Sequence, residues 1–335
     1  MKIAFFEATK KEKEYFIKEL VGHELIFEEG NLTPENIGIA TGAEAVSVFV
    51  NSELKQPVLD LLTSVKLIAT RSTGFDHIDG AYAKGKNIAV SNVPSYGSRT
   101  VAEFAFGLIL NLSRKIYTAR HQLMEGDNFD ISNLRGFDLY EKTLGVVGTG
   151  RIGKNVIKIA KGFGMKIIAC DSFPDLSFAK EQGFEYVSLE DLLKNSDIVT
   201  LHTPYNPSTH HLINKQNIGL MKKTAYLIND ARGELVETDA LVQALSSGAI
   251  AGAGLDVLES ERQLKEESEL MKKGAEAFKD FKTLFENQLL MDMPNVMVTP
   301  HIAFNTEEAV HEIMETTAEN IKAFAEGKII NQINA

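Results

Sequence analysis

The residues whose types and spacing point most directly to chemistry are three glycines. Gly148, Gly150 and Gly153 stand in Leu144-Gly145-Val146-Val147-Gly148-Thr149-Gly150-Arg151-Ile152-Gly153, an apolar strand-like run that passes through G-x-G-x-x-G into a helical pattern. Each glycine has a physical task. Gly148 makes the tight turn, Gly150 lets the backbone approach a pyrophosphate, and Gly153 lets the helix pack closely on the strand. The helix N-terminus adds free N–H groups and a partial positive charge. A second strand-like run, Lys166–Cys170, ends at Asp171, 18 residues after Gly153. A carboxylate there suits the ribose hydroxyls of a dinucleotide. Asp171 would repel a 2′-phosphate, and Ser172-Phe173-Pro174-Asp175 offers no arginine to attract one. The pattern therefore points to NAD(H) rather than NADP(H), against the competing reading of a glycine-rich turn with no ligand.

Ligands of open α/β sheets bind at the carboxyl ends of strands. His202-Thr203-Pro204, Asn229-Asp230-Ala231-Arg232-Gly233 and Leu255-Asp256 occupy such ends and are further candidates for cofactor contacts, although each also reads as a loop cap. Hydride transfer to a 2-keto acid needs donors for the carboxylate and carbonyl, a proton donor, and a neighbour that sets the donor's protonation state. Histidine beside a carboxylate suits proton donation. Of the eight histidines, His23 and His311 sit in polar, helix-like surroundings and read as surface residues, and His121 lies in a charged stretch. His210-His211 has no acid or cysteine cluster at ligand spacing, so no metal is expected. His301 follows Val296–Val298 and Thr299-Pro300 at a strand end, which makes it the candidate acid/base.

These residues need a scaffold. Candidate strands are Ile3–Phe6, Val46–Val50, Leu67–Thr70, Ile88–Val90, Leu144–Val147, Lys166–Cys170, Ile198–His202, Ala225–Ile228, Gly252–Leu255 and Val296–Val298. Several are continuously apolar, as strands covered on both faces are. Helical periodicity marks Lys11–Leu20, Val101–Arg114, Ile152–Phe163, Leu189–Lys194, Thr238–Ser247 and Thr306–Glu326. The alternation predicts an α/β protein with two doubly wound parallel-sheet domains, a Rossmann NAD-binding domain inserted into a flavodoxin-like substrate domain. Because the fingerprint lies mid-chain, the expected division is 1–99 for the first part of the substrate domain, 100–299 for the Rossmann domain and 300–335 for the return. Crossings near Arg99–Thr100 and Thr299–His301 would make a hinge over a cleft. Glu259–Met293 breaks the rhythm and reads as one or two surface helices, with Leu270, Met271, Phe278, Phe281, Leu284 and Phe285 as its apolar residues.

The totals exclude several classes. The chain has 335 residues, 44% apolar and 24% charged, enough for two ordinary cores. A formal net charge of -11 weighs against nucleic acid or an anionic membrane as the main partner. The single cysteine, Cys170, allows no intramolecular disulfide and suits a reducing, cytoplasmic compartment. It reads as a strand residue rather than a reactive thiol. No signal peptide fits Met1-Lys2-Ile3 and the charged Lys10–Glu14, and no apolar run approaches the roughly 18 residues of a membrane helix.

An ordered set of motifs spans nearly the whole chain. It comprises Arg71-Ser72-Thr73-Gly74-Phe75-Asp76-His77-Ile78-Asp79, Asn92-Val93-Pro94-Ser95-Tyr96, Val101-Ala102-Glu103, the Gly148–Gly153 loop, Ala231-Arg232-Gly233, Gly254-Leu255-Asp256-Val257 and Thr299-Pro300-His301. With these the chain resembles the D-specific 2-hydroxyacid dehydrogenases, and most closely their D-lactate branch. The resemblance implies that Arg232 binds the substrate carboxylate and carbonyl, that His301 is the acid/base and that Glu261 is its carboxylate partner. Glu259 lies two residues from Glu261 and stays open as the alternative. The same resemblance assigns the substrate carboxylate to the backbone N–H groups of Thr73 and Gly74, and the substrate pocket to Tyr96 and Phe304. Arg151-Ile152, Asp171, Thr203-Pro204, Thr209, Asp230-Ala231 and Asp256 match cofactor contacts. Asp230 stands where relatives often carry a smaller or neutral residue, so its contact would be through backbone. Implied too are a small 2-keto or 2-hydroxy acid substrate and a homodimer built on the helix from Val101. A dehydrogenase for bulkier 2-keto acids is the alternative; an NADH-sensing scaffold would keep the same fold, but the D-lactate-like Tyr96 favours an enzyme.

Overall fold

The computed structural model describes residues 1–126, 129–261 and 278–334, with backbone alone at 278–280. The chain divides into two compact units, Met1–Gly97 with Asn305–Ala335, and Ser98–Phe304.

The first unit is built on five strands: β1 (Lys2–Phe5), β2 (Glu24–Phe27), β3 (Ala45–Val48), β4 (Leu67–Thr70) and β5 (Ala89–Ser91). They are all parallel, in the order β2-β1-β3-β4-β5. This is the flavodoxin-like winding. Every residue of β3 and β4 is buried, so their apolar runs serve both faces of the sheet. Val46, Val48, Ile68 and Val90 fill one core with Leu54 and Leu59. Ile3, Phe5, Leu67 and Ala69 fill the other with Phe16, Met314, Ala318 and Ile321 from helices Lys10–Glu19 and Glu307–Ala325. Thr9 and Glu12 form a capping box that starts the first of these helices. The β5 edge is covered by the chain's last residues, which place Gln332 in an antiparallel bridge to Ser91 and bond Val90 N to Asn334 Oδ1 at 2.9 Å. Covering an edge in this way removes a template for unwanted strand pairing.

Two details depart from the sequence reading. β2 is an extra edge strand, anchored by Phe27 stacked on Phe5 at 4.9 Å. The strand expected over Val46–Val50 stops at Val48 because the Glu7 carboxylate captures Phe49 N at 3.0 Å, Asn51 N at 2.9 Å and Ser52 N at 3.1 Å. These bonds replace the ladder.

The second unit holds β6 (Thr143–Val147), β7 (Lys166–Cys170), β8 (Glu185–Tyr186), β9 (Ile198–Leu201), β10 (Tyr226–Asn229), β11 (Gly252–Leu255) and β12 (Val296–Val298). They too are parallel, in the order β12-β11-β10-β9-β6-β7-β8. This is the Rossmann order with one strand added, and the winding reverses between β6 and β9. Helices Ser98–Arg114 and Arg151–Gly162 cover one face through Ala105, Ile109, Val156 and Ala160. The irregular stretch after Glu259 contributes a helix, Phe278–Asp292, that leaves Phe281 and Phe285 in solvent and buries Leu290. Leu270 and Met271 lie outside the described residues. Among the described residues no helix is long and apolar enough to cross a membrane.

Candidate active site

The winding reversal puts the glycine loop beside the carboxyl end of β9. β6 ends at Val147, and Gly148 turns with φ +91°. A Cβ on Gly148 would meet His202 C and O and Thr203 Cγ2 at 2.8 Å, and one on Gly153 would overlap the Gly148 carbonyl. Around Gly150 there is open space. The three positions thus separate into a turn, an approach and a packing contact. Helix Arg151–Gly162 begins at Gly150 without a side-chain cap, which leaves first-turn N–H groups for an anion.

Asp171 closes this loop from the end of β7. Its Oδ2 accepts from Thr149 N at 2.6 Å and Thr149 Oγ1 at 2.9 Å, and its Oδ1 from Phe173 N at 2.8 Å. Burial pushes the carboxyl up, but these bonds and Lys154 outweigh it and hold Asp171 below the usual carboxylate range. Neighbouring Cys170 is raised, by burial and then by Asp171, which suits an unreactive thiol. Thr203 Oγ1 and both carboxylate oxygens of Asp230 are buried without hydrogen-bond partners among the described residues. His202 Nδ1 lies 3.2 Å from Asp230 Oδ1, outside hydrogen-bond geometry, while its Nε2 bonds Thr200 Oγ1 at 2.8 Å. Unsatisfied polar atoms at the carboxyl ends of β9 and β10 fit a ligand that brings amide and hydroxyl groups. Thr209 is engaged within its own loop, accepting from Asn206 N at 2.9 Å and donating to Pro204 O at 2.8 Å.

His301 follows β12 on a turn held by Asp256. The fully buried Asp256 carboxylate accepts from Thr299 Oγ1 at 2.6 Å, Ile302 N at 2.9 Å and Ala303 N at 2.8 Å. Burial raises this carboxyl, with the three bonds opposing it. Between those anchors His301 adopts φ +56°, a left-handed backbone that a non-glycine residue keeps only when its surroundings hold it. Its Nδ1 lies 2.7 Å from Glu261 Oε1. Nε2 has no bond to another described residue and is left for a ligand. Phe304 meets the imidazole edge to face, centroids 6.5 Å apart.

Glu259 faces elsewhere. Its Oε1 lies 2.8 Å from His211 Nε2, and its Oε2 accepts from Thr238 Oγ1 at 2.7 Å. The buried Asn287 donates to its carbonyl at 2.8 Å. Sequence reasoning missed this second histidine–glutamate pair, and the His210-His211 doublet was its only trace.

Arg232 leaves β10 through a turn held by the buried Asn229, whose Nδ2 bonds Arg232 O at 2.8 Å. Arg232 Nη1 bonds Ala231 O at 2.8 Å. Beside it, Glu234 is raised by burial and then by Glu261 and Glu259, with Arg232 acting against them. In the first unit Thr73 and Gly74 follow β4 directly, with Thr73 exposed, and Tyr96 lies half-buried beyond β5. The second unit therefore assembles Arg232, Glu261, His301 and Phe304 together with the glycine loop, and the first unit carries Thr73, Gly74 and Tyr96.

The chain is similar to several known proteins. Residues 106–303 match the family model "D-isomer specific 2-hydroxyacid dehydrogenase, NAD binding domain". The chain is 42% identical to 2-hydroxyacid dehydrogenase A of Aspergillus oryzae, over 97% of this chain and 92% of that protein. It is 38% identical to the D-lactate dehydrogenase of Escherichia coli, over 98% of each. Among solved structures, D-lactate dehydrogenase from Aquifex aeolicus, complexed with NAD and lactic acid, superposes with a TM-score of 0.87 at 35% identity, covering 98% of this chain and 99% of that one.

Proposed function

The chain belongs to the D-isomer-specific 2-hydroxyacid dehydrogenases, NAD-dependent oxidoreductases, and from that premise we propose that it reduces pyruvate to D-lactate. The observation that carries the reading is the His301–Glu261 contact, which takes Nδ1 and leaves Nε2 for the substrate. Bound NADH supplies the hydride. Arg232 binds the substrate carboxylate and draws charge from the carbonyl, a task for a planar, two-pronged cation. The N–H groups of Thr73 and Gly74 and the hydroxyl of Tyr96 also bind the substrate, and Phe304 lines the same pocket. His301 gives a proton from Nε2 to the carbonyl oxygen while Glu261 holds the ring by Nδ1. In the reverse direction His301 takes the proton of the 2-hydroxyl. Gly148, Gly150 and Gly153 with Arg151 and Ile152 receive the pyrophosphate, Asp171 the ribose, and Thr203, Pro204, Thr209, Asp230, Ala231 and Asp256 line the rest of the cofactor site.

The test is NADH oxidation with pyruvate, 2-ketobutyrate, 2-ketoisocaproate, phenylpyruvate, hydroxypyruvate and oxaloacetate, with product chirality determined. Pyruvate should give the largest kcat/KM and a D product. A larger value for a bulkier acid overturns the assignment to pyruvate, and an L product overturns the stereochemistry. His301→Ala should cut kcat by about 10²–10⁴-fold with NADH binding retained. Near-normal turnover in that variant removes His301 from the chemistry.

A further inference from the structure

We propose that Asn92, Asn320 and Asn331 form a positioning device that aims the Thr73 and Gly74 N–H groups, and thereby sets affinity for the substrate carboxylate. The inference rests on the substrate role proposed above for that loop. It starts from an oddity in helix Glu307–Ala325, where Asn320 sits on the buried face at 1% exposure, next to Ile321. Asparagine is a poor choice inside a helix, and a buried amide is costly unless its hydrogen bonds are made.

Those bonds are made, and they close a ring. Asn331 Nδ2 donates to Asn320 Oδ1 at 2.8 Å. Asn320 Nδ2 donates to Asn92 O at 2.9 Å. Asn92 N donates to Asn331 O at 3.1 Å. Asn331 holds its corner with φ +51°, a conformation asparagine tolerates better than most side chains. The Asn92 side chain then leaves the ring and donates Nδ2 to Thr73 O at 2.8 Å. Two further bonds tie the same segments together, Val93 N to Ser72 O at 3.1 Å and Thr73 Oγ1 to Val93 O at 2.7 Å. Ser72 Oγ holds Gly74 O at 2.6 Å.

The consequence follows from peptide geometry. In a trans peptide the C=O and the next N–H point in opposite directions. Holding Ser72 O on Val93 N turns Thr73 N–H away from the sheet's β5 side, and holding Thr73 O on Asn92 does the same for Gly74 N–H. Neither N–H has an acceptor among the described residues. Two successive unpaired N–H groups make an anion-binding concavity. The donors that aim them trace back to a ring with one member in helix Glu307–Ala325 and one in the segment after it, neither of which hydrogen-bonds Thr73 or Gly74 among the described residues.

The experiment compares wild type with Asn320→Ala and Asn331→Ala, using the 2-keto acid that the wild type reduces best. The expected result is a KM for the keto acid raised about ten- to a hundredfold, with kcat changed far less and the NADH dissociation constant, read by fluorescence titration, unchanged. A purely structural role would lower the folded fraction and move apparent kcat with KM constant. Asn331→Ala lies near the chain's surface and decides the matter should Asn320→Ala not fold. Wild-type KM in the folded variants overturns the inference alone. A wild type that reduces no 2-keto acid overturns the proposed function, and this inference with it.

Discussion

Glu259 and Glu261 carry the same group two residues apart, yet they face different histidines, at 2.8 Å from His211 and 2.7 Å from His301 respectively. Sequence spacing offers no means of choosing between them, because the choice depends on the turn at Ser260, which takes φ +58°. The pair beside His301 has a distinct consequence for turnover. Glu261 holds the imidazole by Nδ1 and so fixes where Nε2 points. Without that bond the ring is free to turn, so Glu261→Ala should lower kcat by about tenfold or more with the NADH dissociation constant unchanged. Glu259→Ala should lower kcat far less. Steady-state kinetics of both variants separate them, and a wild-type kcat in Glu261→Ala would falsify the pairing. His301 is a candidate in the sequence because it stands at a strand end after a proline, and the structure sets its Nδ1 against Glu261. Asp256 stands at a strand end that the sequence offers as a cofactor contact, but its bonds to the His301 turn depend on long-range packing that local pattern does not carry.

At the scale of elements, the glycine after Arg232 links two segments. Gly233 opens a short 3₁₀ turn, Gly233–Leu235, and a Cβ there would overlap Leu258 C and O and Glu259 N. The obstacle is backbone, so it cannot move aside as a side chain would. Gly233→Ala must push Leu258–Glu261 away and take Glu261 off His301. It should destabilise the unit by about 1–3 kcal/mol and depress kcat more than NADH affinity. Urea unfolding with parallel kinetics measures both, and wild-type values would refute the close approach. The same scale separates what pattern reading recovers from what it misses. β4 and β11 stand where apolar runs place them, since strands covered on both faces write their burial into composition; β7 and β12 also stand where their apolar runs place them, although both are partly exposed. β2 and β8 lie at sheet edges, with two to four residues and mixed polarity, so no period distinguishes them. Helices such as Gln56–Leu61 and Gly80–Gly85 are too short to show one either.

At the scale of the whole molecule, the mid-chain position of the glycine loop was the most informative single fact, because it called for α/β structure on both sides of it. One element remains unexplained by either unit alone. Helix Ile116–Gly126 buries none of its residues, with Ile116 at 56%, Tyr117 at 55% and Met124 at 68% exposure. Phe129 and Ile131 follow it at 84% and 79%. Helices gain most of their stability from packing an apolar face, and large apolar groups exposed together mark an interface. The helix follows Ser98–Arg114, the element expected to join two copies, after a break at Lys115, which takes φ +51°. We therefore propose a second copy of this chain as the occupant of this surface. Sedimentation equilibrium should return the mass of two chains for the wild type and of one chain for Tyr117→Lys/Met124→Lys. A wild type with the mass of one chain, or a double variant that keeps the mass of two, would show that this helix is not where the copies meet.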